Sequence, residues 1–312
     1  MKVFLAGGSG AVGRRLIPQL VAAGHEVTAM TQNPANEGRL RGLGAEPAIC
    51  DVFDAPRLAE TVAAAGPEVV LQQLTRLPQR LRGRGLARQY AANNRVRDEG
   101  TRNLIAAARG AGARRLVAQG MAIWYAPRGD GRLHGEDDPL WRDAPEPIGT
   151  GVRTMQGVED AVLRDPALEG VVLRYGLLYG PGTWYAPDGD VAEQVRKRRY
   201  PVLGSGDAVY SFLHVDDAAG AAVAALHGPA GVYNVVDDEP APISTWLPEY
   251  AAALGAPPPR RVPGWLAKLG GGRGPVSWLL ALEGADNRRA REALGWRPRH
   301  ASWRTGFRAQ NT

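Results

Sequence analysis

Apolar residues come in short unbroken runs, separated by stretches in which they recur every three or four positions. Residues 3–6 form one such run, the pattern of a strand buried on both faces. The run breaks into Gly7, Gly10 and Gly13, after which Leu16, Ile17, Leu20 and Val21 mark one face of a helix that stops at Gly24. Further strands are predicted at 26–30, 47–50, 68–74, 114–119 and 171–175, with helices at 58–65, 87–110 and 151–164 among them. Such alternation implies a parallel, doubly wound α/β sheet. Residues 124–150 read as a loop rich in Pro, Gly and Asp, and 178–183 as a turn. Beyond it the alternation is lost, except where a strand at 210–214 leads into an alanine-rich helix capped by Asp216 and Asp217. Residues 236–300 read as a small, mainly helical lobe carrying Trp246, Trp265, Trp278 and Trp296, with Gly270–Gly274 as its one flexible loop.

The opening turn sets the first chemical expectation. Gly7 permits a tight turn, Gly10 lets backbone approach a pyrophosphate, and Gly13 lets the helix sit close to the strand. The helix N-terminus then presents free N–H groups to phosphate. Strand, glycine turn and helix in that order predict a Rossmann-type dinucleotide site. The expected division is a cofactor-binding core at 1–177, to which 210–235 return, and a substrate lobe made of 178–209 and 236–312.

The second strand ends in Thr31-Gln32-Asn33, without the carboxylate that would bond a ribose 2′-hydroxyl, and Arg39 and Arg41 follow. A neutral, donor-rich pocket near arginines favours a 2′-phosphate, so NADP(H) is the expected cofactor. Its expected contacts are Gly7, Ser9, Gly10, Ala11, Val12, Gly13, Thr31, Asn33, Arg39, Asp51, Val52, Leu74, Thr75, Gln119, Tyr175, Gly176 and Leu177. Arg76, Arg80, Arg82 and Arg84 lie beyond the fourth strand, where they either rim a site or occupy a solvated loop.

Composition narrows the class. The net charge of +6 comes from arginines scattered along the chain, and the cluster Arg196-Lys197-Arg198-Arg199 lacks interleaved aromatics, so no nucleic-acid partner is expected. The single cysteine, Cys50, excludes an intramolecular disulfide and thiolate metal clusters and fits a reducing compartment. No run is long enough to span a membrane, and residues 1–20 lack a signal-peptide core. A soluble, cytoplasmic monomer or homodimer without a metal is the expectation.

Several blocks in order resemble the extended short-chain dehydrogenase/reductases, the NAD(P)-dependent epimerase/dehydratase group. They are the opening GxxGxxG, Gly100-Thr101-Arg102-Asn103-Leu104, the stretch from Arg174 to Gly182, and Ser211 to Asp217. The resemblance implies a Tyr proton donor, a Lys four residues later and a Ser or Thr after the fifth strand. Aligned on Glu159, the Tyr position holds Gly151 and the Lys position Met155, while Gly120 stands for the Ser or Thr and Arg97 for a structural Asn. Two glycines in these slots would open room for a wide, flat substrate. The chain is similar to the atypical ketoreductases of angucyclinone biosynthesis, that of simocyclinone assembly above all. This resemblance implies an NADPH-dependent ketoreductase of polycyclic aromatic polyketides in antibiotic biosynthesis, the proton coming from the substrate's own phenol. A catalytically silent NADP-binding regulator is the alternative, and a sugar-nucleotide epimerase or dehydratase is disfavoured because it needs the Tyr. Tyr125 is the first candidate for a replacement acid, followed by Tyr175, Tyr179, His134 and His214, while Trp124, Trp184, Tyr185 and Trp246 could wall a flat pocket.

Overall fold

A computed structural model describes residues 1–78, 80, 81 and 86–310. Arg82 and Arg84 lie outside the described residues. Seven parallel strands form the main sheet: β1 (Lys2–Ala6), β2 (Glu26–Thr31), β3 (Glu46–Ile49), β4 (Val69–Gln72), β5 (Arg115–Met121), β6 (Glu169–Tyr175) and, from far along the chain, β7 (Gly231–Val235). Their order is β7-β6-β5-β4-β1-β2-β3. Residues Val3–Ala6 are buried on both sides of the sheet, as their unbroken apolar run requires. The direction of winding reverses at β1, which pairs with β2 on one side and β4 on the other, so a crevice opens at their C-terminal ends.

Three helices position the site. α1 (Gly13–Ala22) follows the glycine turn and buries Leu16, Ile17 and Leu20 against the sheet. The 87–110 helix is observed as α2 (Leu86–Arg95), a π turn (Val96–Gly100) and α3 (Thr101–Gly110) in unbroken succession. α4 (Ile148–Leu163) buries Gly151, Met155 and Glu159 against β5 and β6.

Two features depart from the expected division. The strand at 210–214 does not enter the main sheet; Phe212–His214 pairs in parallel with Leu177–Tyr179, a separate two-stranded unit. Of 210–235, the helix Val215–Ala224 packs on the core beside α1 and Gly231–Val235 supplies β7. Trp296, expected in the lobe, packs instead into the core cluster and donates its indole N–H to Asp217 O at 3.2 Å. The lobe has its own aromatic core, in which Tyr179, Tyr185, Tyr210, Phe212, Trp246 and Phe307 touch edge to face or tilted. No helix among the described residues is long and apolar enough to cross a membrane.

Candidate active site

The glycine turn has the shape a pyrophosphate needs. Gly7 has φ +97°, and a Cβ there would lie 2.5 Å from Gln73 O, so only glycine closes the turn onto β4. A Cβ at Gly13 would lie 2.8 Å from Gly8 Cα, which keeps α1 tight against the loop. Gly10 differs: a Cβ there meets only Gly7 O, at 3.3 Å. The space over Gly10 is therefore bounded by backbone and open outward, at the start of α1. Ser9 Oγ lies 3.2 Å from Thr31 Oγ1, joining the loop to the end of β2.

Other expected contacts are partly committed elsewhere. Asn33 Oδ1 caps the next turn by accepting from Ala35 N at 3.0 Å. Asp51 accepts from Gln32 Nε2 (2.5 Å) and Phe53 N (3.0 Å), and Asn103 Nδ2 donates to the Val52 carbonyl at 2.9 Å. Arg41 is paired with Glu37 and Glu46, whereas Arg39, exposed on Glu37–Gly42, has no carboxylate partner among the described residues. Leu74 and Thr75 follow β4 at the crevice, and Gln119 Nε2 donates to Leu74 O at 3.3 Å. Gly176 lies where a Cβ would fall 2.7 Å from Ser211 O, and Leu177 begins the two-stranded unit. The Tyr175 ring points away into the core, its hydroxyl between Gln73 Nε2 (3.2 Å) and Ala218 O (3.3 Å).

The catalytic slots are filled in ways the sequence did not suggest. Gly120 faces the interior, where a Cβ would lie 3.0 Å from Glu159 Oε1 and 3.1 Å from Arg174 Cγ. Consecutive strand residues face opposite ways, so the residue that looks into the cleft is Met121. Gly120 makes room for a bidentate ion pair, with Arg174 Nε donating to Glu159 Oε1 at 2.9 Å and an η nitrogen to Oε2 at 2.6 Å. Gly151 leaves no vacancy, because the Trp124 indole stands 3.5 Å from where its Cβ would be. Met155 is buried. The expected room for a wide substrate is thus taken by Trp124 and the ion pair.

Tyr125 is not an acid in the cleft. It is buried, stacks on His134 at 4.8 Å, donates to Asn234 Oδ1 at 2.6 Å and accepts from Arg174 at 2.9 Å. Burial pushes its phenol up to about 12. Burial likewise raises Tyr175 and Tyr179. His134 is held between Asp138 (3.1 Å) and Glu283 (3.2 Å), away from the crevice. His214 caps the following helix by accepting from Asp216 N at 3.2 Å, and burial lowers its pKa. His214, Asp217 and His300 come close together, but the Asp217 carboxylate already accepts from Arg299 N (2.7 Å) and His300 N (2.9 Å), and the two imidazoles stack at 3.8 Å. They anchor the C-terminal segment. Trp246 and Tyr185 lie in the lobe core; Trp184 is half-buried and donates its indole N–H to Pro78 O at 2.8 Å.

Two residues gain a role that sequence reasoning did not give them, since the motif alignment gives Arg97 only as the stand-in for a structural Asn. Arg97, on the π turn, points at Met121 and lies 5.5 Å from the Trp124 ring. Tyr90, two turns earlier, feels its charge, although burial raises the Tyr90 phenol.

The sequence pattern of the NAD dependent epimerase/dehydratase family matches residues 3–235. The chain belongs to that family. A 3-diazoavenalumate denitrifying reductase from a Streptomyces species is 46% identical over 309 residues, covering 98% of this chain and 99% of that one. A 4-hydroxy-2-methyl-3-oxo-4-farnesyl-3,4-dihydroquinoline-1-oxide ketoreductase from Stigmatella aurantiaca is 28% identical over 252 residues, 79% of this chain and 71% of that one. The UDP-glucose 4-epimerase of Thermotoga maritima, in a crystal structure with UDP-glucose, has the same fold: TM-score 0.76, 17% identity, with 100% of this chain and 97% of that one covered. This epimerase/dehydratase family member is an oxidoreductase dependent on a nicotinamide dinucleotide.

Proposed function

We propose that the protein uses NADPH to reduce an aromatic substrate at a centre that needs no proton from the enzyme, and that this centre is a diazo group lost as N2. The observation that carries the reading is the content of the acid positions: Gly151 beneath Trp124, buried Met155, and Met121 at the strand end. General acid catalysis is worth roughly 10²–10⁴ in rate, so a site without its acid suits an acceptor to which that contribution is irrelevant. When bound, the reduced nicotinamide supplies hydride, and with an arenediazonium this alone balances: the C–N bond breaks, a C–H bond forms with the hydride's two electrons, and N2 leaves with the cofactor oxidised. The chain's own part is to hold the dinucleotide over Gly10, lay the ring against Trp124 and keep water out with Met121 and Met155. The 46% identity to a denitrifying reductase, spanning both chains, supports this acceptor.

A second reading keeps the carbonyl of a polycyclic aromatic polyketide, as in angucyclinone assembly, with an adjacent phenol giving the proton. Its support is the 28% identity to a quinoline-oxide ketoreductase. The filled slots at Gly120 and Gly151 weigh against so broad a substrate. NADPH over NADH is supported by the carboxylate-free end of β2 and by Arg39 on the next helix, which has no carboxylate partner among the described residues. A cytoplasmic location and action as a monomer or homodimer belong to the same proposal.

Loss of reduced-nicotinamide absorbance should be followed with an ortho-hydroxyarenediazonium, a panel of polycyclic quinones and a panel of nucleotide sugars. Turnover with the diazonium alone, accompanied by N2, is the expected outcome, with NADPH bound about tenfold or more tighter than NADH, as one charged hydrogen bond to a 2′-phosphate provides. Turnover of a quinone carbonyl and none of the diazonium would select the second reading, and equal affinities would refute the cofactor preference.

A further inference from the structure

At the cleft stands a buried guanidinium that has no counter-ion among the described residues. Arg97 is only 4% exposed. Its Nε has no hydrogen-bond partner, and both η nitrogens reach only Met121 Sδ, each at 3.4 Å. Thioether sulfur is a weak acceptor. Its neighbours on the helix are treated differently. Arg95 donates to Glu99 at 2.7 Å and Arg102 to Asp98 at 2.9 Å, each pair four residues apart. Four residues from Arg97 stand Asn93 and Thr101, and both are already engaged. Asn93 Oδ1 accepts from Arg76 N at 2.8 Å, and Thr101 Oγ1 accepts from Gln72 Nε2 at 2.8 Å.

Burial lowers Arg97 to about 10, which leaves it charged at neutral pH. A buried charge without a partner is costly, and removing it usually stabilises a fold. The π turn that carries it is a local departure from the α-helix of a kind frequent at functional sites. Its fork points to the C-terminal end of β5, the edge at which ligands enter a doubly wound sheet, with the Trp124 ring on one side.

We propose that Arg97 binds an oxyanion carried by the aromatic substrate, a phenolate or a carboxylate, and thereby fixes the ring against Trp124. A planar guanidinium offers two parallel N–H donors to such a group, and the bond is strong because both partners are charged. The assignment rests on the reading of the cleft as an aromatic reductase site. It makes the protein selective for anionic aromatics over their neutral counterparts.

Binding can be measured without turnover, by calorimetric titration of the complex with oxidised cofactor. The probes are benzoate and 4-nitrophenolate, each paired with its neutral counterpart, methyl benzoate and 4-nitroanisole. Wild type should bind at least one anion about tenfold or more tighter than its neutral partner, and the anion preferred tells carboxylate from phenolate. Arg97→Met should erase that preference, Arg97→Lys should retain part of it, and the cofactor-free Arg97→Met protein should melt no lower than wild type. An undiminished anion preference in Arg97→Met, no preference in wild type, or a lower melting temperature in Arg97→Met would each overturn the proposal. Failure here leaves hydride transfer untouched, and failure of the diazonium assay leaves this titration valid.

Discussion

Gly10→Val is expected to abolish detectable binding of both NADPH and NADH while the protein still folds. Because a Cβ at this position meets only Gly7 O, at 3.3 Å, the chain itself tolerates a side chain there. What a valine would fill is the open space over the loop, at the start of α1, whose first N–H groups have no side-chain cap. Losing the pyrophosphate contacts should weaken affinity by a factor of about 100 or more, equivalent to about 2.7 kcal/mol. Gly13→Val makes the contrast, since its Cβ would press on Gly7 O and Gly8 Cα and should cost both stability and binding. Fluorescence titration alongside thermal melting separates the two. A Gly10→Val protein that binds NADPH as wild type does would remove this loop from the cofactor site.

The second large effect belongs to the ion pair under Gly120. Glu159 and Arg174 are both buried, and their bidentate bond is completed by Arg174 donating to Tyr125 Oη at 2.9 Å and Glu136 O at 3.1 Å. Glu159→Leu strands the guanidinium in an apolar interior, and the expected loss is about 3–5 kcal/mol. Against a total stability of roughly 5–15 kcal/mol this is severe. The double variant Glu159→Leu/Arg174→Met removes both charges and should recover most of the loss, which urea denaturation of the full cycle would read as strong coupling. Additive losses would show that the pair does not act as a unit. Gly120→Ser should likewise destabilise, since its Cβ alone crowds Glu159 Oε1, and it should confer no acid at the cleft.

Much of the architecture was legible because local patterns and the final fold agree. Short apolar runs became six of the seven parallel strands, within a residue or two of the expected ends, and the glycine turn fell where β1 meets α1, whereas β7 was not expected as a strand. The strand at 210–214 misled because its apolar residues look alike whether they join the main sheet or pair with Leu177–Tyr179. Trp296 misled because a tryptophan buries equally well in either core. The catalytic slots were empty in the sequence, but what fills them was not readable there. Counting along a motif gave Gly120, whereas the alternation of the strand turned Met121 to the cleft instead. A glycine at 151 does not say that Trp124 occupies the space above it. Arg97 carried a signal, an arginine in place of a structural amide, but its isolation shows only once its neighbours' partners are known.

The central claim is that hydride passes from the nicotinamide to the substrate without a proton from the protein, and isotope placement tests it most directly. The ortho-hydroxyarenediazonium should be turned over in ordinary water with NADPH deuterated at C4, each epimer in turn, and the product examined by mass spectrometry and NMR. Deuterium on the ring carbon that had carried nitrogen, from one epimer only, is the predicted result. Product bearing ordinary hydrogen at that carbon with both epimers would contradict direct hydride delivery and require a proton donor in the cleft.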